Sequence, residues 1–231
     1  LRLSLSLPDI VRISTLSEDA AINHIVAELD GSGGVFNYID ATKRIKSAYK
    51  GLHRIDSLIA VPPSRMEEVG RCHNIEVVKL AAPLAFGRTT NVFDLSGRFF
   101  AYGEARQASY RAPFLYTESG TVKLYYLQPR KRGGLSFDQA SLYISIVKKF
   151  LLDSEFYGEK VDVEVVDVAQ RIEGRGRVLR IFDLSSVEIW SDDKIAQHLK
   201  VVRLALDDIE AQGLVKKKRR PLKDRDLPMF F

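Results

Sequence analysis

Between Thr121 and Val168 the hydrophobic pattern changes period twice, and few folds accommodate that change. Thr121–Leu127 reads as a strand, joined through the turn Glu118-Ser119-Gly120 to a second strand candidate, Gln107–Thr117, with a third at Gly97–Glu104. A helix follows. Ser136-x-x-Gln139 is a capping box, and Phe137, Ala140, Tyr143, Ile144, Val147, Phe150 and Leu151 form one apolar stripe. Val161–Val168 returns to period two, with Val161, Val163 and Val165 alternating against Asp162 and Glu164 as though one face were solvated. Val178–Phe182 fits an antiparallel neighbour of that strand.

The flanking segments complete an α/β or α+β chain. Leu1–Leu7 alternates as a strand, and the rest of the first 55 residues reads as helical. Ser17-Glu18-Asp19 caps one helix, Asp30–Gly34 stops it, and a second helix spans Phe36 to Leu52 with Lys43, Arg44, Lys46 and Lys50 on its polar side. The two also have the order of a helix-turn-helix. Ile55–Val61 and Ile75–Leu80 read as buried strands around a short helix at Ser64–Cys72. Ser191 caps a final helix ending before Gly213. Its stripe, Ile195, Leu199, Val202, Leu206 and Ile209, is expected to dock on the body, with a helix-mediated oligomer as the alternative. The expected organisation is a helical N-terminal segment (1–55) and a mixed, mostly antiparallel sheet flanked by helices (56–190). A long closing helix (191–213) and a basic tail with an apolar C-terminal peptide (214–231) follow.

Charge separates the tail from the body. The chain has 231 residues, 35 of them Lys or Arg and 30 Asp or Glu. Seven of those cations and two of those acids lie in Lys216–Phe231, so the first 215 residues carry no formal net charge. A uniformly basic nucleic-acid-binding globule is thereby excluded. The single cysteine, Cys72, excludes an intramolecular disulfide and a Cys-based zinc site, and fits a reducing compartment. No apolar run reaches the ~18 residues of a membrane span, so a cytoplasmic protein without a membrane partner is expected. The opening on Leu1 fits a sequence that begins inside a longer product or after processing. There is no phosphate-binding Gly-rich loop ending in Lys-Ser/Thr, no dinucleotide fingerprint and no Gly-x-Ser-x-Gly elbow, and His24, His53, His73 and His198 are scattered singly. No cofactor is expected.

Two local patterns resemble known families. Glu104 near the end of one strand candidate, Gln128-Pro129-Arg130-Lys131 at the end of another, then the capped helix and the Val161 strand, resemble the core of restriction-endonuclease-like nucleases. There, carboxylates hold Mg²⁺ and a lysine assists the attack of water. The resemblance implies Glu104 as metal ligand and Glu104, Gln128 and Lys131 as catalytic residues, with Mg²⁺ as the metal only in that case. It departs from the pattern in placing Gln128 where a carboxylate belongs and Arg130 ahead of Lys131. Asp226-Leu227-Pro228-Met229-Phe230-Phe231 resembles the short peptides by which bacterial DNA polymerases and repair factors dock on the sliding clamp. That implies Asp226, Leu227, Met229, Phe230 and Phe231 as partner-binding residues.

Independently of either resemblance, two cation clusters suit phosphate contacts. One is the donor-rich, flexible loop Arg130, Lys131 and Arg132 before a helix N-terminus; the other is Lys216, Lys217, Lys218, Arg219 and Arg220. Tyr102, Tyr110, Tyr116, Tyr125 and Tyr126 interleave with cations, as in a base-stacking sheet or simply an amphipathic one. The leading expectation is a DNA-associated accessory protein, recruited by its tail to DNA (or RNA) or to a replication or repair assembly. The alternatives are a metal-dependent, possibly degenerate nuclease and a subunit of a larger complex that does not contact nucleic acid.

Overall fold

The computed structural model of the chain describes residues 5–30, 37–60, 68–103, 106–170 and 176–214, with the side chains of 29 and 30 excepted. Glu104, the basic run 216–220 and the apolar peptide 226–231 therefore lie outside the described residues.

Helix begins earlier than the opening alternation implies. Pro8 has the backbone angle of a first helical turn, Ser6 hydrogen-bonds Asp9, and α1 (Leu7–Ile13) buries Leu7, Ile10, Val11 and Ile13. Of the expected first strand the described residues keep only a bridge from Ser6 to Ser109. Then come α2 (Glu18–Asp30) and α3 (Ile39–Tyr49). These do not form a helix-turn-helix. Ala21 and Ile25 of α2 belong to one core, in which α2 packs on the C-terminal helix; Ala41 and Ile45 of α3 belong to the other.

The two strands expected between 55 and 80 are helices, α4 (Ile55–Ile59) and α5 (Glu68–Ala81). Short apolar runs are ambiguous in period, and the spacing decides. Ile55, Leu58 and Ile59 stand at i, i+3, i+4, while α5 buries Asn74, Val77, Val78 and Ala81 at i, i+3, i+4, i+7. The expected strand, helix, strand succession is therefore not formed among the described residues.

The expected strand Gln107–Thr117 is divided at Pro113, which has no N–H to give a ladder. β2 (Arg98–Ala101) and β3 (Gln107–Tyr110) make a two-stranded sheet. β4 (Phe114–Glu118) joins β1 (Asn91–Phe93), β5 (Thr121–Gln128), β6 (Lys160–Asp167) and β7 (Arg180–Phe182) in a five-stranded sheet ordered β1-β4-β5-β6-β7. Every pairing in it is antiparallel except β5 with β6, which run parallel from Thr121↔Lys160 to Gln128↔Asp167. Between them α6 (Phe137–Val147) is the crossover. Its capping box is complete: Ser136 Oγ accepts from Gln139 N at 3.2 Å, and Gln139 Oε1 from Ser136 N at 3.0 Å. A π-helical turn (Lys148–Leu152) and α7 (Asp153–Glu155) lead on to β6.

Helices cover both faces of this sheet. On one face Leu115, Leu124, Tyr126, Val163 and Val165 pack with α1, α2, α6 and α8 (Asp192–Gln212); on the other Phe114, Tyr116, Tyr125, Leu127, Val166 and Val168 pack with α3, α4 and α5. Tyr116, Tyr125 and Tyr126 are buried by these layers, and Tyr102 and Tyr110, at the two-stranded sheet, are buried in the first core, so all five are core residues rather than stacking platforms. The same geometry overturns the solvated face of β6. Glu164 is buried, accepts from the hydroxyls of Tyr49 and Tyr116, and pairs with Arg88 at 3.0 Å. Asp167 is fully buried. The α8 stripe docks on the body, with Val202, Leu206 and Ile209 almost fully enclosed.

Candidate functional site

The C-terminal end of β5 carries the site. Tyr126 and Gln128 project to the face covered by α1 and α2, and the chain then turns through Pro129–Leu135 into α6. Five hydrogen bonds fix that turn. Gln128 Nε2 donates to Gly133 O (2.7 Å), Val168 N to Gln128 O (3.0 Å) and Gln170 N to Lys131 O (2.8 Å). Arg177 Nη1 donates to Pro129 O (2.7 Å), and Asp167 Oδ2 accepts from Leu135 N (2.7 Å). The Arg130–Arg132 loop, expected to be flexible, is thus held along its length. Gly134 is required by close approach: a Cβ there would lie 2.5 Å from Arg180 Nη2 and 2.8 Å from the Ala169 Cβ.

Above the turn opens a cleft of about 1210 Å³, walled by α1 and the end of α2 on one side and by the start of α3 on the other. Arg12, Lys43, Arg111, Arg130 and Lys131 line it, against two carboxylates, Asp9 and Glu28. Arg130 ties the turn to one wall, with Nη2 3.3 Å from Asp9 on α1 and Nη1 3.5 Å from Glu28 on α2. Among the described residues Arg12 makes only a 3.8 Å contact with Asp9, and its Nε and Nη2 are buried without an acceptor. Burial lowers its pKa from the usual arginine value and Arg130 adds to that, while Tyr126, Asp9 and Glu28 oppose it. An anion near Arg12 would relieve a cost that the fold leaves standing. Lys43, Arg111 and Lys131 are exposed and enter no ion pair among the described residues. Tyr126, beneath them, has its hydroxyl pKa pushed up to about 12, by burial first, with Arg12 and Arg130 pulling the other way.

Of the residues singled out from sequence, Gln128, Arg130 and Lys131 come together in this cleft, and Arg132 is exposed beside it. Glu104 falls outside the described residues. Of its neighbours, Gly103 lies against Arg203, and Arg106 pairs with Asp207 (2.6 Å) and Glu210 (3.0 Å) on α8. Arg12, Lys43 and Arg111 have no site role in the sequence reading, because they lie on three separate elements. A cation amid the apolar run of α1 was the one available signal for Arg12. Among the described residues the donor set does not fit Mg²⁺, which needs carboxylate oxygens. Gln128 spends its amide N–H on Gly133, both cleft carboxylates face arginines, and Asp167 is occupied by Leu135 N, Ala169 N and Arg180. No group of three His, Cys, Asp or Glu able to hold a metal occurs among the described residues.

No protein-family model and no curated protein matches the chain. Among solved structures it is similar to a "putative exonuclease" from Eubacterium rectale (TM-score 0.37, 12% identity, covering 96% of this chain and 86% of that one). It is also similar to SSO0001 (TM-score 0.31, 15% identity, covering 87% and 88%). Both scores fall short of the level that establishes a common fold.

Proposed function

We propose that the protein is a DNA-associated accessory factor that holds nucleic-acid phosphates in the cleft at the end of β5 without cleaving them. The observation that carries this is the convergence of Arg12, Lys43, Arg111, Arg130 and Lys131 on one cavity whose loop is fixed in advance. Pre-set donors lose little entropy on binding, and unpaired surface cations release counterions when they meet phosphates. In this proposal Lys216, Lys217, Lys218, Arg219 and Arg220 extend the electrostatic footprint. Asp226, Leu227, Met229, Phe230 and Phe231 recruit a protein partner such as a sliding clamp.

The test is fluorescence anisotropy with labelled DNA across a salt series. Replacing Lys43, Arg111 and Lys131 together by Ala should flatten the slope of log affinity against log salt by about 2–3, each lost contact removing roughly 0.7–0.9. An unchanged slope refutes the cleft as the binding site. The alternative, a Mg²⁺-dependent nuclease using Glu104, Gln128 and Lys131, draws support from Gln128 and Lys131 sharing the cleft, although β2, the strand leading toward Glu104, lies in the two-stranded sheet and not beside β5. It requires cleavage with Mg²⁺ or Mn²⁺ that is abolished by Glu104→Ala.

A further inference from the structure

We infer that the cleft takes single-stranded DNA in preference to duplex, an inference that rests on its assignment as a phosphate seat. The first ground is space. The cleft holds about 1210 Å³ between α1–α2 and α3, above the ~300–1,000 Å³ of cavities that enclose one compact ligand. That volume suits a few nucleotides, whereas a duplex, whose major groove is already about 12 Å wide before the flanking backbones are added, is expected to reach the cleft only along its rim.

The second ground is chemistry. The cations do not form a flat basic field. They are interleaved with apolar surface: the partly buried ring of Tyr38, the exposed side chain of Ile39, and the rings of Pro113 and Pro129. A duplex hides the faces of its bases in the stack and presents phosphates. A single strand presents both, so a cavity alternating cations with apolar planes complements it. Tyr38 is already fixed for that role, because Arg177 donates to its hydroxyl at 2.9 Å and lies over the ring at 5.6 Å. The third ground is the floor. Arg130 and Lys131 sit on a turn whose backbone is held by hydrogen bonds at both ends, so the points from which their side chains reach a strand are set before binding.

The experiment uses the full chain and two probes, a labelled single-stranded oligodeoxynucleotide and the same sequence annealed to its complement. Single strand should bind at least about tenfold tighter at moderate salt. Ile39→Ser, a change at an exposed position that removes apolar surface without adding charge, should lower single-strand affinity severalfold more than duplex affinity. A full-length variant with Lys216–Arg220 replaced by Ser should keep the preference, since a basic run attracts any polyanion. Equal or tighter duplex binding, or a preference that vanishes with the tail cations, overturns this inference and leaves the cleft's general role standing. Binding of neither probe overturns both.

Discussion

Asp167→Ala separates two effects that are usually confounded. The carboxylate is fully buried and does not line the cleft; it accepts from Leu135 N at 2.7 Å, Ala169 N at 2.9 Å and Arg180 Nη2 at 2.5 Å. Removing it orphans two buried backbone donors, at about 1.5–3 kcal/mol for each charge-assisted bond lost, or about 3–6 kcal/mol together. Arg180 is 43% exposed, so losing the pair from its side admits water to the carboxylate, and Arg180→Ala should cost only about 1 kcal/mol. For a chain of this size, Asp167→Ala should lower Tm by roughly 10–20 °C in a thermal melt, against a few degrees for Arg180→Ala. DNA binding below the melt makes the test sharper. By Coulomb's law alone, deleting a negative charge near Arg130 and Lys131 should tighten binding. If the tie from Asp167 to Leu135 is what holds the cationic loop, binding should weaken instead, by severalfold. Equal melting shifts for the two variants, or tighter DNA binding by Asp167→Ala, would refute the reasoning.

Three further outcomes are expected. Tyr126 and Tyr102 both titrate near 12 in the folded chain against 10.0 ordinarily, chiefly through burial. Their folded pKa values are raised, so their contribution to stability is complete below pH 10 and is lost as pH rises through 12. Tyrosinate absorbance and unfolding should therefore rise together in that window, and Tyr126→Phe should shallow the loss. Gly134→Ala should cost about 1–3 kcal/mol by overpacking against Ala169 and Arg180, readable as a lower urea midpoint. Leu206→Ala, at a fully buried position of the α8 stripe, should cost about 2–5 kcal/mol without changing the molecular mass in solution, because that stripe is spent on the chain's own core.

Where free energy is local, the residues announced the structure. Ser136 and Gln139 cap α6 whatever lies around them, Ser191 and Gly213 bound α8, and Ser119-Gly120 turns β4 into β5 with positive φ at both residues. The short runs at 55–59 and 75–80 were misjudged because four or five apolar residues suit either period until a partner surface selects one. Glu164 looked solvated for a related reason. Alternation shows which residues share a face, but whether that face meets water depends on a second layer of helices contributed from far along the chain.

The cleft lies on the far side of that division. Its loop, Arg130–Arg132, and the neutrality of the first 215 residues were legible in the order of amino acids, since charge and turn-forming residues can be counted without a fold. That Arg12, Lys43 and Arg111 would stand beside the loop was decided only when α1 and α2 packed on one face of the sheet and α3 on the other, all reaching the end of β5. Residues 19 (Arg111), 87 (Lys43) and 118 (Arg12) positions from Arg130 carry no mutual signal with it in sequence. Their meeting is set by the burial of both sheet faces, a term that belongs to the whole chain and to no segment of it.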